Sequence, residues 1–412
     1  MSESTLLPSG YASDYPFLAV DPKTASDQLS RIAAERPMTR ISMPYGGEAW
    51  AINRHSAAQS MLTDPRFVRK PFRTREREVP NYFPFPQFLI DTLQFDDPPE
   101  HTKLRRLCQV AISPRRVKAL RDQTTQYANY LLDEMEKKGN SANLIDEYAL
   151  QLPIQVLSEL LGVRPEDREK FMHWATVLFD LGTLPEEEVK KNFNETRDYM
   201  LDLIAERRRE PREDLISALA NARDKDDSLK DEEIIPIAMI LIVAGFDNTA
   251  NMIGTGVHAL LSNPDQLEIL LADVDGTIES AVEEILRHGL FATGKPMGAG
   301  GGLVPFIATE DVDIEGMVIK EGEAVFIDPN GVNHDAAVFE QPAKFDVTRK
   351  DNPHMMLSYG LHYCLGAPLA RMEVQVAIAE LFKRFPHLKL TGEVTYNYEI
   401  LTQTMTELPV SW

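Results

Sequence analysis

Towards its C-terminal end the chain runs Gly360-Leu361-His362-Tyr363-Cys364-Leu365-Gly366 straight into Ala367-Pro368-Leu369-Ala370-Arg371. A cysteine between two glycines therefore stands just ahead of a helix start that carries proline in its first turn. Unpaired backbone N–H groups and the positive end of the helix dipole favour a thiolate at such a place. The flanking glycines let the backbone come close to a large flat object. The competing reading is a buried, inert cysteine in a turn. On the first reading the fold must hold this loop at an open face with a helix behind it.

Composition narrows the frame. At 412 residues, with 43% hydrophobic and 26% charged residues, the chain has ordinary soluble composition and the length of one large domain or two to three smaller ones. Its two cysteines, Cys108 and Cys364, exclude a disulfide framework and fit a reducing compartment. The N-terminal residues lack the basic and apolar regions of a secretory signal. The apolar run from Ile234 to Gly245 is shorter than a membrane span and reads as a buried core helix. The expectation is a soluble, cytoplasmic protein that does not associate with membranes. A net charge of -21 argues against nucleic-acid binding, which draws its affinity from neutralised phosphates. Two basic islands, His101 to Arg106 and Arg115-Arg116-Val117-Lys118, read either as solvated helix faces or as a docking point for an acidic redox partner.

Helical periodicity dominates from about Ser113 to Arg287, as in Leu131, Leu132 and Met135, then Met200, Leu201, Leu203 and Ile204. Further helices are predicted over 214–222 and from Asp231 to about Leu261. Strand-like segments are few: 40–43, 49–53, 306–308, 317–319, 324–327 and 394–398. This pattern predicts a single domain over residues 1–412, mainly α with small β-sheets. The segment 80–88, rich in proline and aromatics, reads as a packed surface loop or as a lid over a pocket.

Gly-x-His-x-Cys-x-Gly followed by Ala-Pro-Leu-Ala-Arg resembles the haem-binding loop of bacterial cytochromes P450, and further motifs recur in that family's order along essentially the whole chain. The resemblance implies a cytochrome P450-like fold with haem between the family's I and L helices. It implies heme b with an axial thiolate from Cys364, Gly366 against the cofactor, and O2 as co-substrate. Asp97-Pro98-Pro99-Glu100-His101-Thr102-Lys103-Leu104-Arg105-Arg106 looks like the start of the family's C helix. By that likeness His101 and Arg105, four apart on one helix face, hydrogen-bond the haem propionates together with His362. Glu284-Ile285-Leu286-Arg287 looks like the family's Glu-x-x-Arg pair, whose third partner would be Arg349, all three in a structural role.

Ala244-Gly245-Phe246-Asp247-Asn248-Thr249 resembles the family's oxygen-activation segment, which makes Asp247 and Asn248 the implied catalytic residues. Three departures stand out. Asn248 occupies the usual threonine position, Leu357 replaces an aromatic at the start of the haem loop, and Phe306 stands where the family offers a propionate an arginine. Twenty residues separate Arg287 from Ala308, including the glycines of 298–302. That stretch lacks Gly-Lys-Ser/Thr and joins no clear strand to a helix, so it reads as a loop on the substrate side rather than a nucleotide site. Position in the family pattern implies pocket walls at Phe83, Phe85, Phe88 and Ala244. It also implies Leu290, Phe291, Ile400 and Leu401.

The implied activity is that of a haem-thiolate monooxygenase oxidising a small organic molecule in secondary metabolism. Electrons would come from a ferredoxin and a ferredoxin reductase, since the chain carries no flavin or iron–sulfur module, and the protein would act as a monomer. An alternative keeps the haem but catalyses oxidative coupling, isomerisation or dehydration without oxygen insertion, which would tolerate the missing threonine. No other catalytic arrangement competes: nine histidines are scattered without metal-ligand spacing, and no serine sits in a Gly-x-Ser-x-Gly elbow. Cys108 reads as a small buried hydrophobe.

Overall fold

The computed structural model describes residues 13–14, 22–43, 45–74, 79–81, 87–179, 184–221, 223–224, 227–292, 304–397 and 404–412. Among them, long helices build the body, accompanied by a six-stranded sheet and by smaller sheets of two and three strands. The helices that position the site are α1 (His55–Thr63), α2 (Glu100–Ala111), α3 (Pro114–Lys138), α4 (Asp231–Gly245), α5 (Asp247–Ser262), α6 (Val274–Ala292) and α7 (Ala367–Arg384).

The six-stranded sheet contains β1 (Met38–Met43), β2 (Gly47–Ile52), β3 (Phe67–Val68), β4 (Phe306–Ala308) and β5 (Ala324–Ile327), with Ser13–Asp14 at its edge. Their order across the sheet is β1, β2, β5, β4, β3. β5 runs parallel to β2, while β4 is antiparallel to both β5 and β3. All four residues of β5 and all three of β4 are buried, as apolar runs covered on both faces require. Register matters here: Phe67 lies opposite Ala308 and Val68 opposite Ile307.

The largest core cluster joins α3, α5, α6 and α7 through Leu131, Leu132, Ile253, Val257, Ile285, Ile378 and Phe382. Gly256 permits this close packing. A Cβ added there would lie 2.9 Å from Ile378 Cδ1 and 3.0 Å from Ile285 Cδ1. Gly256→Val is therefore expected to destabilise the fold by about 1–3 kcal/mol through overpacking, read as a lower denaturation midpoint.

The sequence predicts one helix from Asp231 to about Leu261, and the structure breaks it at Phe246 (φ -91°, ψ -69°) between α4 and α5. Side chains cap the carbonyls at the break: Asn248 Nδ2 donates to Ala244 O at 3.0 Å, and Thr249 Oγ1 donates to Gly245 O at 3.1 Å. Such local side-chain bonds compete with the helix ladder. Together, Glu233–Ser262 is long and apolar enough by composition to cross a bilayer, so the Ile234–Gly245 run is not isolated. In the fold, α5 is buried along nearly its whole length against α6 and α7.

Candidate active site and cofactor cradle

Cys364 follows a short turn at Gly360–His362 and precedes α7, whose N-cap is Gly366. Its N–H donates to Leu357 O at 2.8 Å, so Leu357 closes the loop through its backbone while its side chain packs on the main core. Gly360 adopts φ +65°, and a Cβ there would lie 2.5 Å from Leu62 O on α1, so only glycine lets this turn seat. Arg105 Nη2 donates to Tyr363 O at 2.6 Å and Arg371 Nη1 to Tyr363 Oη at 2.8 Å, pinning the loop from two helices.

The cysteine itself departs from simple expectation. The N–H groups of Gly366 and Ala367 favour its thiolate, as do Arg105 and Arg371. Burial is the largest influence, however, and the net effect is to push the thiol up. The helix N-terminus alone does not offset the burial of Cys364; a metal ion, which deprotonates a thiol that ligates it, would. Cys108, in the last turns of α2, is buried and pushed up to about 12, consistent with an inert packing residue. Among the described residues no cluster of three or more His, Cys, Asp or Glu can hold a metal ion.

Behind the loop, Glu284, Arg287 and Arg349 meet as the motif spacing implies. Arg287 binds Glu284 through Nε at 2.8 Å and Nη2 at 2.7 Å, and Arg349 Nε reaches Glu284 Oε2 at 3.0 Å. Arg287 also donates to the carbonyls of Asn333, Pro342 and Lys344, which ties α6 to the segment leading into the cysteine loop. A second ion cluster escaped the sequence reading. Glu283 takes both Arg371 Nε at 2.6 Å and Nη2 at 2.9 Å, and pairs with His354 Nε2 at 3.0 Å. A Glu beside the Glu-x-x-Arg motif was the available signal, but its partners lie on other elements.

His101 on α2 and His362 in the loop face one another, ring centroids 4.5 Å apart. His101 is fully buried, yet neither of its ring nitrogens has a hydrogen-bond partner, and His362 Nε2 has none either. Burial, then Arg105 and Arg69, lowers His101 to about 4. Burial, Arg69, His101 and Arg105 drive His362 lower still. Phe306 packs edge-on against His362 at 5.5 Å, and the Arg69 guanidinium carbon lies 4.1 Å from the Phe306 ring centroid. Arg69 was not singled out from sequence, because only the pairing of β3 with β4 brings it there.

The α4–α5 break carries the residues of the implied oxygen-activation segment. Ala244 is exposed and Gly245 half-buried, next to the buried Ile242 and Val243. Asp247 is buried and Asn248 is partly open. Phe83, Phe85, Ile400, Leu401 and the 298–302 glycines lie outside the described residues. Phe88, Leu290 and Phe291 lie in helices, but their side chains are outside the described set.

The residues present fit a haem. Orphaned imidazole nitrogens ask for an acceptor such as a carboxylate, since buried polar groups are normally paired. A Cβ added at Gly366 would meet nothing within 4 Å, leaving open space beside the cysteine.

Comparison with known proteins agrees with this geometry. The family profile described as Cytochrome P450 matches residues 154–286 and 301–405. Mycinamicin IV hydroxylase/epoxidase of Micromonospora griseorubida is 37% identical over 401 residues, covering 97% of this chain and 98% of that protein. Nocardicin C N-oxygenase of Nocardia uniformis subsp. tsuyamanensis is 38% identical, covering 92% and 94%. Among solved structures, the mixed-function P450 MycG superimposes with a TM-score of 0.89 at 36% identity, covering 98% of this chain and all of that one. The LnmA cytochrome P450 hydroxylase of the leinamycin pathway in Streptomyces atroolivaceus gives 0.87 at 36% identity, covering 97% and 100%. The chain belongs to the cytochrome P450 family, haem-thiolate monooxygenases that use O2, with Cys364 as its axial ligand.

Proposed function

We propose that this cytochrome P450 oxidises a preformed secondary metabolite bound against the α4–α5 break, and that it receives electrons from a ferredoxin and its reductase. The whole chain acts as one catalytic domain, as a monomer in the cytoplasm. Relatives named as a mycinamicin hydroxylase/epoxidase and a nocardicin N-oxygenase support the substrate class. The observation that carries the site assignment is the orphaned pair His101 and His362 beside Arg105. These three hold the haem propionates. Bound haem supplies O2 activation and the oxidation of the substrate.

The remaining chemistry belongs to the chain. Cys364 gives the thiolate, and Arg105 and Arg371 fix its loop through Tyr363. The Glu284–Arg287–Arg349 trio keeps the segment before that loop in place. Asp247, which is buried, relays protons through ordered water, and Asn248 orients water at the break. One N–H of its amide is held by Ala244 O, which leaves the second N–H and the carbonyl oxygen, its acceptor, to bind water. A threonine hydroxyl offers one acceptor in the same way, which is why Asn248 stands in for it.

Asn248→Ala removes that acceptor and is expected to lower product-forming turnover about a hundredfold, the low end of what a positioned proton-handling group contributes, while Asn248→Thr retains it. Product measured against NADPH consumed and peroxide released reads the effect; unchanged coupling in the alanine variant overturns it. The functional reading as a whole is tested by substrate-induced Soret shifts across a secondary-metabolite panel, followed by turnover under 18O2 with ferredoxin and reductase. Label in the product is expected. Product formed without label would replace oxygen insertion by coupling or isomerisation.

A further inference from the structure

Glu283 and Glu284 are neighbours on α6, and consecutive helix positions point about 100° apart, so the two carboxylates serve different parts of the fold. Glu284 holds the segment ahead of the cysteine loop, whereas Glu283 reaches α7. Its Oε1 accepts from Arg371 Nε at 2.6 Å and its Oε2 from Arg371 Nη2 at 2.9 Å, a two-point hold on the planar guanidinium. The third bond of Arg371 goes to the cysteine loop. Its Nη1 donates to Tyr363 Oη at 2.8 Å, one residue before Cys364.

His354 completes the hold. Its Nδ1 accepts the Met356 N–H at 3.3 Å, so its proton is on Nε2 and is donated to Glu283 Oε2 at 3.0 Å. Burial raises the Glu283 carboxyl, but the bonds from His354 and Arg371 outweigh it and hold it down to about 2, ionised at physiological pH. The Arg371 guanidinium acts through space on the Cys364 sulfur. Side-chain exposures of 27% for Arg371 and 29% for Glu283 leave the pair only partly screened by water. Anion and cation thus oppose one another within reach of the thiolate. The loop is already closed by Leu357 O and pinned by Arg105, so what Glu283 adds to it is charge.

We propose that Glu283 is a positioning residue for the oxidation: by clamping Arg371 it limits the positive charge that reaches the Cys364 thiolate, and so holds down the reduction potential of the bound haem. A cation beside the ligand stabilises the electron that the ferric form gains, so an uncompensated guanidinium makes reduction easier. The carboxylate opposes that effect and leaves the thiolate its electron-donating strength. The proposal rests on Cys364 as the haem ligand. It goes beyond that assignment by giving a function to an ion cluster outside the Glu284–Arg287–Arg349 trio.

Three haem-loaded variants test it, read by redox titration against reference dyes. Glu283→Gln keeps the shape and an acceptor for Arg371 but drops the anion. Its ferric–ferrous equilibrium is expected to move about tenfold towards the ferrous form, the order expected of one uncompensated charge near a partly buried site. Arg371→Gln leaves the anion alone, and the equilibrium is expected to move the other way by a similar factor. The double variant removes both charges and is expected to return close to wild type, because the two effects cancel. Loosening of the loop alone would instead move both single variants in the same direction and the double variant at least as far. That pattern overturns the proposal, and so does an unmoved potential in Glu283→Gln. If Glu283→Gln does not fold, a lowered potential in Arg371→Gln that recovers in the double variant supports the proposal, and any other pair of values overturns it. The carbon monoxide band of the wild type reads the haem-thiolate assignment separately, so a normal band with unmoved potentials overturns this proposal alone.

Discussion

Cys364→Ala is expected to abolish the thiolate-type carbon monoxide difference band and reduce product formation to background. The loop that carries this cysteine is fixed before any cofactor arrives by Leu357 O, Arg105 and Arg371. Alanine keeps those backbone and side-chain contacts, so the chain still folds while the metal loses its ligand. Cys108→Ala serves as the control: that thiol is buried in α2 and pushed up to about 12, so its removal leaves the band in place. Persistence of the band in Cys364→Ala refutes the assignment of the axial ligand.

Glu284→Ala is expected to be the most damaging substitution away from the cofactor. Glu284 is fully buried and accepts from Arg287, Arg349, Asn352 and the Asp346 N–H. Removing the carboxylate strands two guanidinium groups, one of them completely buried. Breaking a buried pair by deleting one partner costs about 3–5 kcal/mol, because the remaining charge has no anion. The measurable consequences are a lower denaturation midpoint and a low haem content, since Arg287 and Arg349 also hold the carbonyls of residues 333–344 ahead of the cysteine loop. A variant within about 1 kcal/mol of wild type, the range of an ordinary surface change, contradicts this account. Arg287→Lys does not substitute, because the two-point geometry on Glu284 needs a planar fork.

Several parts of the fold were legible from local sequence. The strands at 306–308, 317–319 and 324–327 coincide with the predicted segments, because short β-branched and aromatic runs between turn residues have few other uses. The segment 214–222 narrows to a helix at Leu215–Ala220 capped by Asp214, whose side chain accepts from Ser217 N. The break at Phe246 was not legible. Gly245 and the polar Asp247, Asn248 and Thr249 flank it in an apolar run, but the interruption depends on Asn248 and Thr249 turning back onto carbonyls in the folded helix. The thiolate argument was half legible: sequence places Cys364 ahead of a helix, but only burial in the fold reveals that the helix end is outweighed.

Alone, the sequence determined the cysteine loop and the Glu284–Arg287 spacing, because each is encoded within a dozen neighbouring residues. Tertiary structure decided what surrounds them. His101 meets His362, and Arg69 meets Phe306, only because α2 packs on the cysteine loop and β3 pairs with β4 in one register. The missing arginine at position 306 looked like a loss in the chain read by itself. In the fold, the Arg69 guanidinium lies over the Phe306 ring, since sheet pairing sets side chains beside one another regardless of their distance along the chain.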